Sequence, residues 1–236
     1  MAESATARRP RAERGDYRAN HARLIDAAFA VFDETGIDTP LGVVAARAGV
    51  GEATLYRHFA SRDDLLAELY EAAAADVEAA TIVALEAAHP DIATRLDAFF
   101  DAMVAAIAAH RCYSQLAARG SRLRPGRPVD PRGVIGVRAL VADGQAAGLL
   151  ASDVLTTDLT TLALTAGTLA AEATPATDFG WRRHLALGRR GLAPAHASAD
   201  GRDLADIEVP PMPFHVSQPT MAQVHGWGRR GDDADG

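Results

Sequence analysis

Apolar residues recur every three or four positions between residues 20 and 191, in segments that mostly end at glycine or proline. In the first segment, Leu24, Ala28 and Phe32 follow this spacing. Side chains at these intervals share one face of an α-helix. No stretch shows the convincing alternation of apolar and polar residues that a half-buried strand needs. The sequence therefore predicts an all-α protein.

Capping and helix-breaking residues set the predicted bounds of the helices. Thr39 and Pro40 are typical of a hydroxyl cap followed by a first helical residue, and Ser61 with Asp64 forms a capping-box pattern. The proline-rich run 124–132 predicts an exposed loop. The predicted helices are 20–36, 40–49, 52–59, 61–86, 91–110, 113–123, 134–147, 157–173 and 181–191.

The same pattern divides the chain into four predicted regions. Residues 1–16 are polar and rich in arginine, which predicts a flexible arm. Residues 17–65 form a three-helix domain with a helix-turn-helix, and residues 66–193 form a helical body. Residues 194–236 turn to Pro, Gly, Asp and His, which is typical of a disordered tail.

Charge and composition exclude several classes of protein. The net charge of −7 does not exclude nucleic acid as a partner, because residues 1–24 carry six arginines and only three acidic residues. The single cysteine, Cys112, excludes an internal disulfide and a multi-cysteine metal site within one chain. No run approaches the roughly 20 apolar residues that span a bilayer. We therefore expect a cytoplasmic protein without membrane contact.

The second and third helices have the features of a helix-turn-helix. Gly49 lies in the turn, where a residue with positive φ is needed, and Ala45 is small where the two helices cross. Val44 and Leu55 are apolar at positions that would hold both helices against the first. The exposed face of the third helix could enter a major groove about 12 Å wide.

From Val44 the chain contains VAARAGVGEATLYRHFASRDDLL. This segment resembles the DNA-binding domain of the TetR/AcrR family of bacterial transcriptional regulators, and the resemblance covers residues 19–70. It implies that Thr39, Tyr56 and His58 donate hydrogen bonds to phosphates and that Arg62 clamps a phosphate. It also implies that the side chains facing the bases are those of Glu52, Ala53, Thr54 and Arg57.

Two residues depart from the family pattern. Arg62 stands where lysine is commoner, which keeps the positive charge. Glu52 places a carboxylate near phosphates, which is repulsive unless it accepts a hydrogen bond from a cytosine amino group. The bases that Glu52 and Arg57 would contact are left open.

The resemblance also implies a ligand-responsive regulator, with the last two helices forming a homodimer on a palindromic operator. Small residues on helix eight, Ala163, Ala166 and Gly167 among them, would allow close approach of a partner helix. A small, apolar effector would bind among helices four to eight. Phe99, Met103 and Ile107 form an apolar stripe there, although such a stripe is more often part of the core than of a pocket. The candidate effector contacts are Phe99, Met103, Ile107, Tyr113, Thr161 and Thr165.

Other function classes have less support in the sequence. Cys112 and His110 suggest a nucleophile and base, but residues two apart on a helix point in different directions. The remaining histidines lack the spacing of a helical metal site. We expect no catalytic residue, metal or cofactor. A protein-interaction module with a vestigial helix-turn-helix stays open as an alternative, because Glu52 and the scarcity of positive charge near the third helix disfavour DNA.

Overall fold

The computed structural model describes residues 9–194, apart from the side chains of residues 9–15 and Ser121. In this range every regular element is an α-helix, as predicted. The helices are α1 (Arg9–Thr35), α2 (Leu41–Ala48), α3 (Glu52–His58), α4 (Arg62–Glu86), α5 (Ile92–Ala108), α6 (Tyr113–Leu123), α7 (Pro131–Ala146), α8 (Thr156–Ala171) and α9 (Phe179–Gly191).

The predicted flexible arm is wrong for residues 9–16, which belong to α1. Apolar spacing marks only the packed part of a helix, whereas arginine, alanine and glutamate extend a helix through their intrinsic propensity. The rest of the predicted arm, residues 1–8, lies outside the described residues. So does the predicted tail from residue 195 onwards.

Contacts divide the chain within α4 into an N-terminal unit ending at Leu69 and a C-terminal unit starting at Tyr70. The sequence predicted this boundary between residues 65 and 66. Because α4 is one continuous helix, no loop or change of composition marks the point where contacts change from one unit to the other. Local sequence signals could therefore locate it only approximately.

The N-terminal unit packs α1 against α2 and α2 against α3. Its fully buried side chains include Leu24, Phe32, Val44 and Leu55. Each such side chain contributes about 1.5–3 kcal/mol through removal of apolar surface from water. Gly49 has a φ of 69°, and Val50 N donates to Ala45 O at 3.0 Å, which closes the turn between α2 and α3. The predicted helix-turn-helix is confirmed.

The C-terminal unit packs α5 against α8, with α8 also contacting α9. Ala163, Ala166 and Gly167 are buried in this unit, and a Cβ on Gly167 would lie 2.7 Å from the Cβ of Ile107. The small residues of α8 therefore allow α5 of the same chain to pack closely against it. The argument that they serve a partner helix is wrong, because spacing shows that a face is small but not which helix covers it.

Candidate nucleic-acid interface

The recognition face of α3 is defined by one buried residue and its exposed neighbours. Leu55 is completely buried and anchors α3, while Ala53, Tyr56 and Arg57 are exposed and Thr54 is half-buried. Arg57 Nη2 donates to Thr54 Oγ1 at 3.0 Å. The structure thus places these four predicted DNA contacts on one short helix whose exposed side carries a cation and a phenol.

Glu52 begins α3 and is exposed, but its side chain lies against the first turn of α2. A Cβ on Gly42 would stand 2.5 Å from Glu52 Oε1. The sequence placed Glu52 among residues facing the bases, whereas the structure also brings its carboxylate next to α2. Spacing along α3 could not reveal this contact, because it depends on how α2 and α3 cross.

Thr39 does not cap α2, so this part of the sequence prediction is wrong. Pro40 is the N-terminal cap, and no side chain accepts a hydrogen bond from the first turn of α2. The Thr39 hydroxyl instead donates to Gly36 O at 2.9 Å and lies 2.7 Å from Thr35 Oγ1. The hydroxyl therefore stabilises the α1–α2 connection. Its contact with a phosphate stays a prediction.

Arg62 begins α4 and reaches back to the α1–α2 connection. Its two terminal nitrogens donate to Ile37 O at 2.7 Å and to Thr39 O at 2.8 Å. A guanidinium has five N–H donors, so Arg62 can make these bonds and still donate to a phosphate. Ser61 Oγ accepts from Asp64 N at 3.1 Å and caps α4 as predicted. The phosphate contact of Arg62 stays a prediction.

His58 packs into an aromatic cluster that joins α3 to α1. Its ring stacks on Tyr17 with a centroid distance of 4.1 Å and lies 5.5 Å from the ring of His21. His21 Nε2 lies 2.5 Å from Glu68 Oε1 and its ring stacks on Phe59. His58 Nδ1 is buried without a partner among the described residues, which leaves Nε2 as the atom for the predicted phosphate contact.

Sequence reasoning assigned no role to Tyr17 or His21. A usable signal was present, since residues 17, 21, 24 and 28 follow helical spacing and Leu24 and Ala28 were already assigned to the buried face of α1. The polar character of Tyr17 and His21 hid this continuation of the stripe. Their packing shows that the position of His58 depends on α1.

Burial lowers the pKa of His58, and the charges of His21 and Arg57 lower it further against the opposing effect of Glu68. The unfolded chain has a histidine pKa of about 6.5. Just below that pH it therefore binds more protons at this position than the folded chain does. His58 contributes stability that is present above this value and is lost as pH falls towards the folded-state pKa.

We expect His58→Gln to reduce the loss of stability on acidification, because glutamine cannot take up the proton. Urea denaturation midpoints of the two proteins at about pH 7.5 and 5.5 measure this difference. His89→Gln, a histidine replacement outside this cluster, is the control that shows how much of the difference belongs to His58 itself. An equally steep loss in His58→Gln would contradict the assignment.

The predicted effector contacts all lie in the C-terminal unit. Phe99, Met103, Ile107 and Tyr113 are buried; burial raises the pKa of Tyr113, so its hydroxyl stays protonated. Thr161 and Thr165 are half-buried, and Thr165 Oγ1 lies 3.0 Å from Thr161 O and 3.1 Å from His184 Nε2. Their role towards an effector stays a prediction.

Residues 24–69 match the family model of bacterial regulatory proteins of the tetR family. The match covers most of the N-terminal unit, with the buried face of α1, the helix-turn-helix and the start of α4. The N-terminal unit therefore carries a tetR-family DNA-binding domain. TetR-family proteins are ligand-responsive transcriptional regulators and are generally non-enzymatic DNA-binding proteins.

Several solved structures of TetR-family regulators share the fold of this chain over about three quarters of its length. A TetR-family regulator from Marinobacter aquaeolei VT8 is 15% identical, with 77% of this chain and 99% of that chain covered and a TM-score of 0.54. The ketosteroid regulator KstR2 of Mycobacterium tuberculosis is 18% identical, with 73% and 94% covered and a TM-score of 0.53. The fatty acid degradation regulator FadR from Bacillus halodurans is also 18% identical, with 73% and 94% covered and a TM-score of 0.51. Within residues 9–194, no helix is long and apolar enough to traverse a bilayer.

Proposed function

We propose that this TetR-family chain is a repressor that binds a palindromic operator as a homodimer and releases it when a small molecule binds. The exposed face of α3 carries the proposal, because Tyr56 and Arg57 project from a helix that Leu55 anchors in the core. A helix of this kind fits the major groove, where arginine can bind guanine through two hydrogen bonds. Tyr56 and His58 would donate to the flanking phosphates.

The C-terminal unit supports the homodimer. Exposed apolar side chains lie on its last two helices, with Leu169 of α8 45% exposed, Phe179 of α9 68% and Leu187 of α9 49%. Pairing of α8 and α9 with their symmetry mates would cover such side chains. A two-fold dimer presents two recognition helices to two half-sites, which predicts the palindrome.

The buried residues proposed as effector contacts are mostly apolar, which favours a largely apolar effector. Two proteins of the same fold are named for ketosteroid and fatty acid degradation regulation, which agrees with this class. In our proposal the effector tilts α4 and changes the separation of the recognition helices. An effector that prefers the released state by about 100-fold shifts the equilibrium by roughly 2.7 kcal/mol.

Replacing Arg57 with Ala tests the site directly. We expect operator affinity to fall by about tenfold or more, because loss of one arginine–guanine contact costs about 1–3 kcal/mol. Fluorescence anisotropy on genomic fragments selected by the purified protein measures the change.

If a dimer neutralises about six phosphates, log K should fall with log salt at a slope near −5.

Arg132→Ala, which removes the same charge from the start of α7, is the matched control and should bind like the parent protein. Unchanged affinity in Arg57→Ala would contradict the assignment of the recognition face. If the parent protein selects no DNA at all, the repressor proposal fails and the interaction module replaces it. Operator binding would place the protein in the cytoplasm, associated with the nucleoid.

A further inference from the structure

The carboxylate of Glu52 packs against Gly42 of α2, at a position where any larger side chain would obstruct it. A Cβ on Gly42 would lie 2.5 Å from Glu52 Oε1 and 3.3 Å from Glu52 Cδ. Gly42 does not have a positive φ, so its backbone conformation does not require glycine. The close approach of the Glu52 side chain is therefore what an alanine at this position would obstruct.

The carboxylate lies beside the first turn of α2. The first turn of α2 contains no acidic residue, and its cap, Pro40, provides no side-chain acceptor. Glu52 also lies in the first turn of its own helix, α3. Helix N-termini carry partial positive charge and stabilise nearby anions, so the first turn of α2 favours an anion beside it.

No described side chain neutralises the charge of Glu52. Among the side chains that the structure describes, none forms an ion pair with Glu52, although Arg57 lies on the same short helix. Glu52 is also exposed, beside the face that carries Tyr56 and Arg57. A full negative charge thus lies on the surface that would meet a phosphate backbone.

We propose that Glu52, the first residue of α3, sets the affinity of the recognition helix for DNA by repelling the phosphate backbone from its position beside α2. This inference rests on the proposed DNA-binding function. Repulsion between like charges does not depend on base sequence, so Glu52 weakens binding to operator and unrelated duplex alike. A weakened complex is one that a modest effector preference can release.

The test compares Glu52→Gln and Glu52→Ala with the parent protein on operator and on unrelated duplex. We expect both variants to bind both duplexes about 3- to 10-fold more tightly at low salt, with a smaller gain at high salt because ions screen the repulsion. Two variants are needed because a glutamine amide can donate to a phosphate, whereas alanine cannot. Asp26→Asn, an exposed acid of α1, is the control for loss of one negative charge and should change affinity by less than about twofold.

A separate readout distinguishes this role from a structural one. Removal of the anion beside the first turn of α2 should lower the denaturation midpoint slightly, so stability and DNA affinity should move in opposite directions. Weaker operator binding with unchanged binding to unrelated duplex would overturn the inference, since Glu52 would then contact a base. If the parent binds DNA and Arg57→Ala weakens it while neither Glu52 variant binds more tightly, this inference alone fails.

Discussion

We expect replacement of Arg127 with Met to lower the free energy of unfolding by about 3–5 kcal/mol, because it would leave a poorly solvated carboxylate without its partner. Arg127 Nη2 lies 3.0 Å from Glu78 Oε2, and the two side chains are only 13% and 16% exposed. Glu78 Oε1 also accepts a hydrogen bond from Asp130 N. The carboxylate of α4 therefore holds the α6–α7 connection at two points, and loss of Arg127 removes one of them.

Arg124→Met in the same connection is the matched control. Arg124 Nε lies 3.1 Å from Glu71 Oε1, but these side chains are 49% and 46% exposed. Water screens such a pair, so its loss should cost about 0–1 kcal/mol. Urea denaturation followed by circular dichroism compares the two variants. Equal costs would show that burial adds nothing to the Arg127–Glu78 pair.

Phe99→Ala should cost about 3–5 kcal/mol, the usual range for removal of a buried phenyl ring. Phe99 is completely buried in α5 and meets the ring of Phe100 edge-on at a centroid distance of 5.2 Å. The substitution removes apolar contacts and leaves a cavity that the surrounding helices can fill only in part. Thermal and urea denaturation of the purified variant give the measurement.

Phe179→Ala is the corresponding change on the surface of the same unit. Phe179 is 68% exposed, so the monomer should change by no more than about 0.5 kcal/mol. A small effect at both positions would mean that Phe99 does not contribute to the core. Because Phe99 is also a predicted effector contact, Phe99→Leu, which keeps most of the volume, is the better variant for ligand-binding experiments.

Most helix bounds were predictable because their signals are local. The predicted helix 113–123 coincides with α6, and the Ser61–Asp64 cap lies at the start of α4 as predicted. A capping side chain bonds to a backbone group three residues away, and glycine at a turn needs no contact beyond its neighbours. Such interactions are visible in a short window of sequence.

Apart from the early start of α1 and the missing Thr39 cap, which are local, the misses involve contacts between segments that are distant in the chain. Arg62 and the carbonyl group of Ile37 are 25 residues apart, and the proline-rich run predicted as an exposed loop contains the mostly buried Arg127. Composition correctly marks residues 124–130 of that run as a connection between helices, whereas α7 already begins at Pro131. It gives no information on whether an acidic residue of another helix lies within reach of its arginine.

The sequence by itself determined the helical class and the helix-turn-helix. These follow from periodicity, caps and turns, whose energies depend on residues within about one or two helical turns. The tertiary structure alone decided that the Glu52 carboxylate lies against α2, that His58 stacks on Tyr17 and that Glu78 pairs with Arg127. Burial and charge pairing depend on which helices cross and at what distance, and no local pattern specifies that geometry.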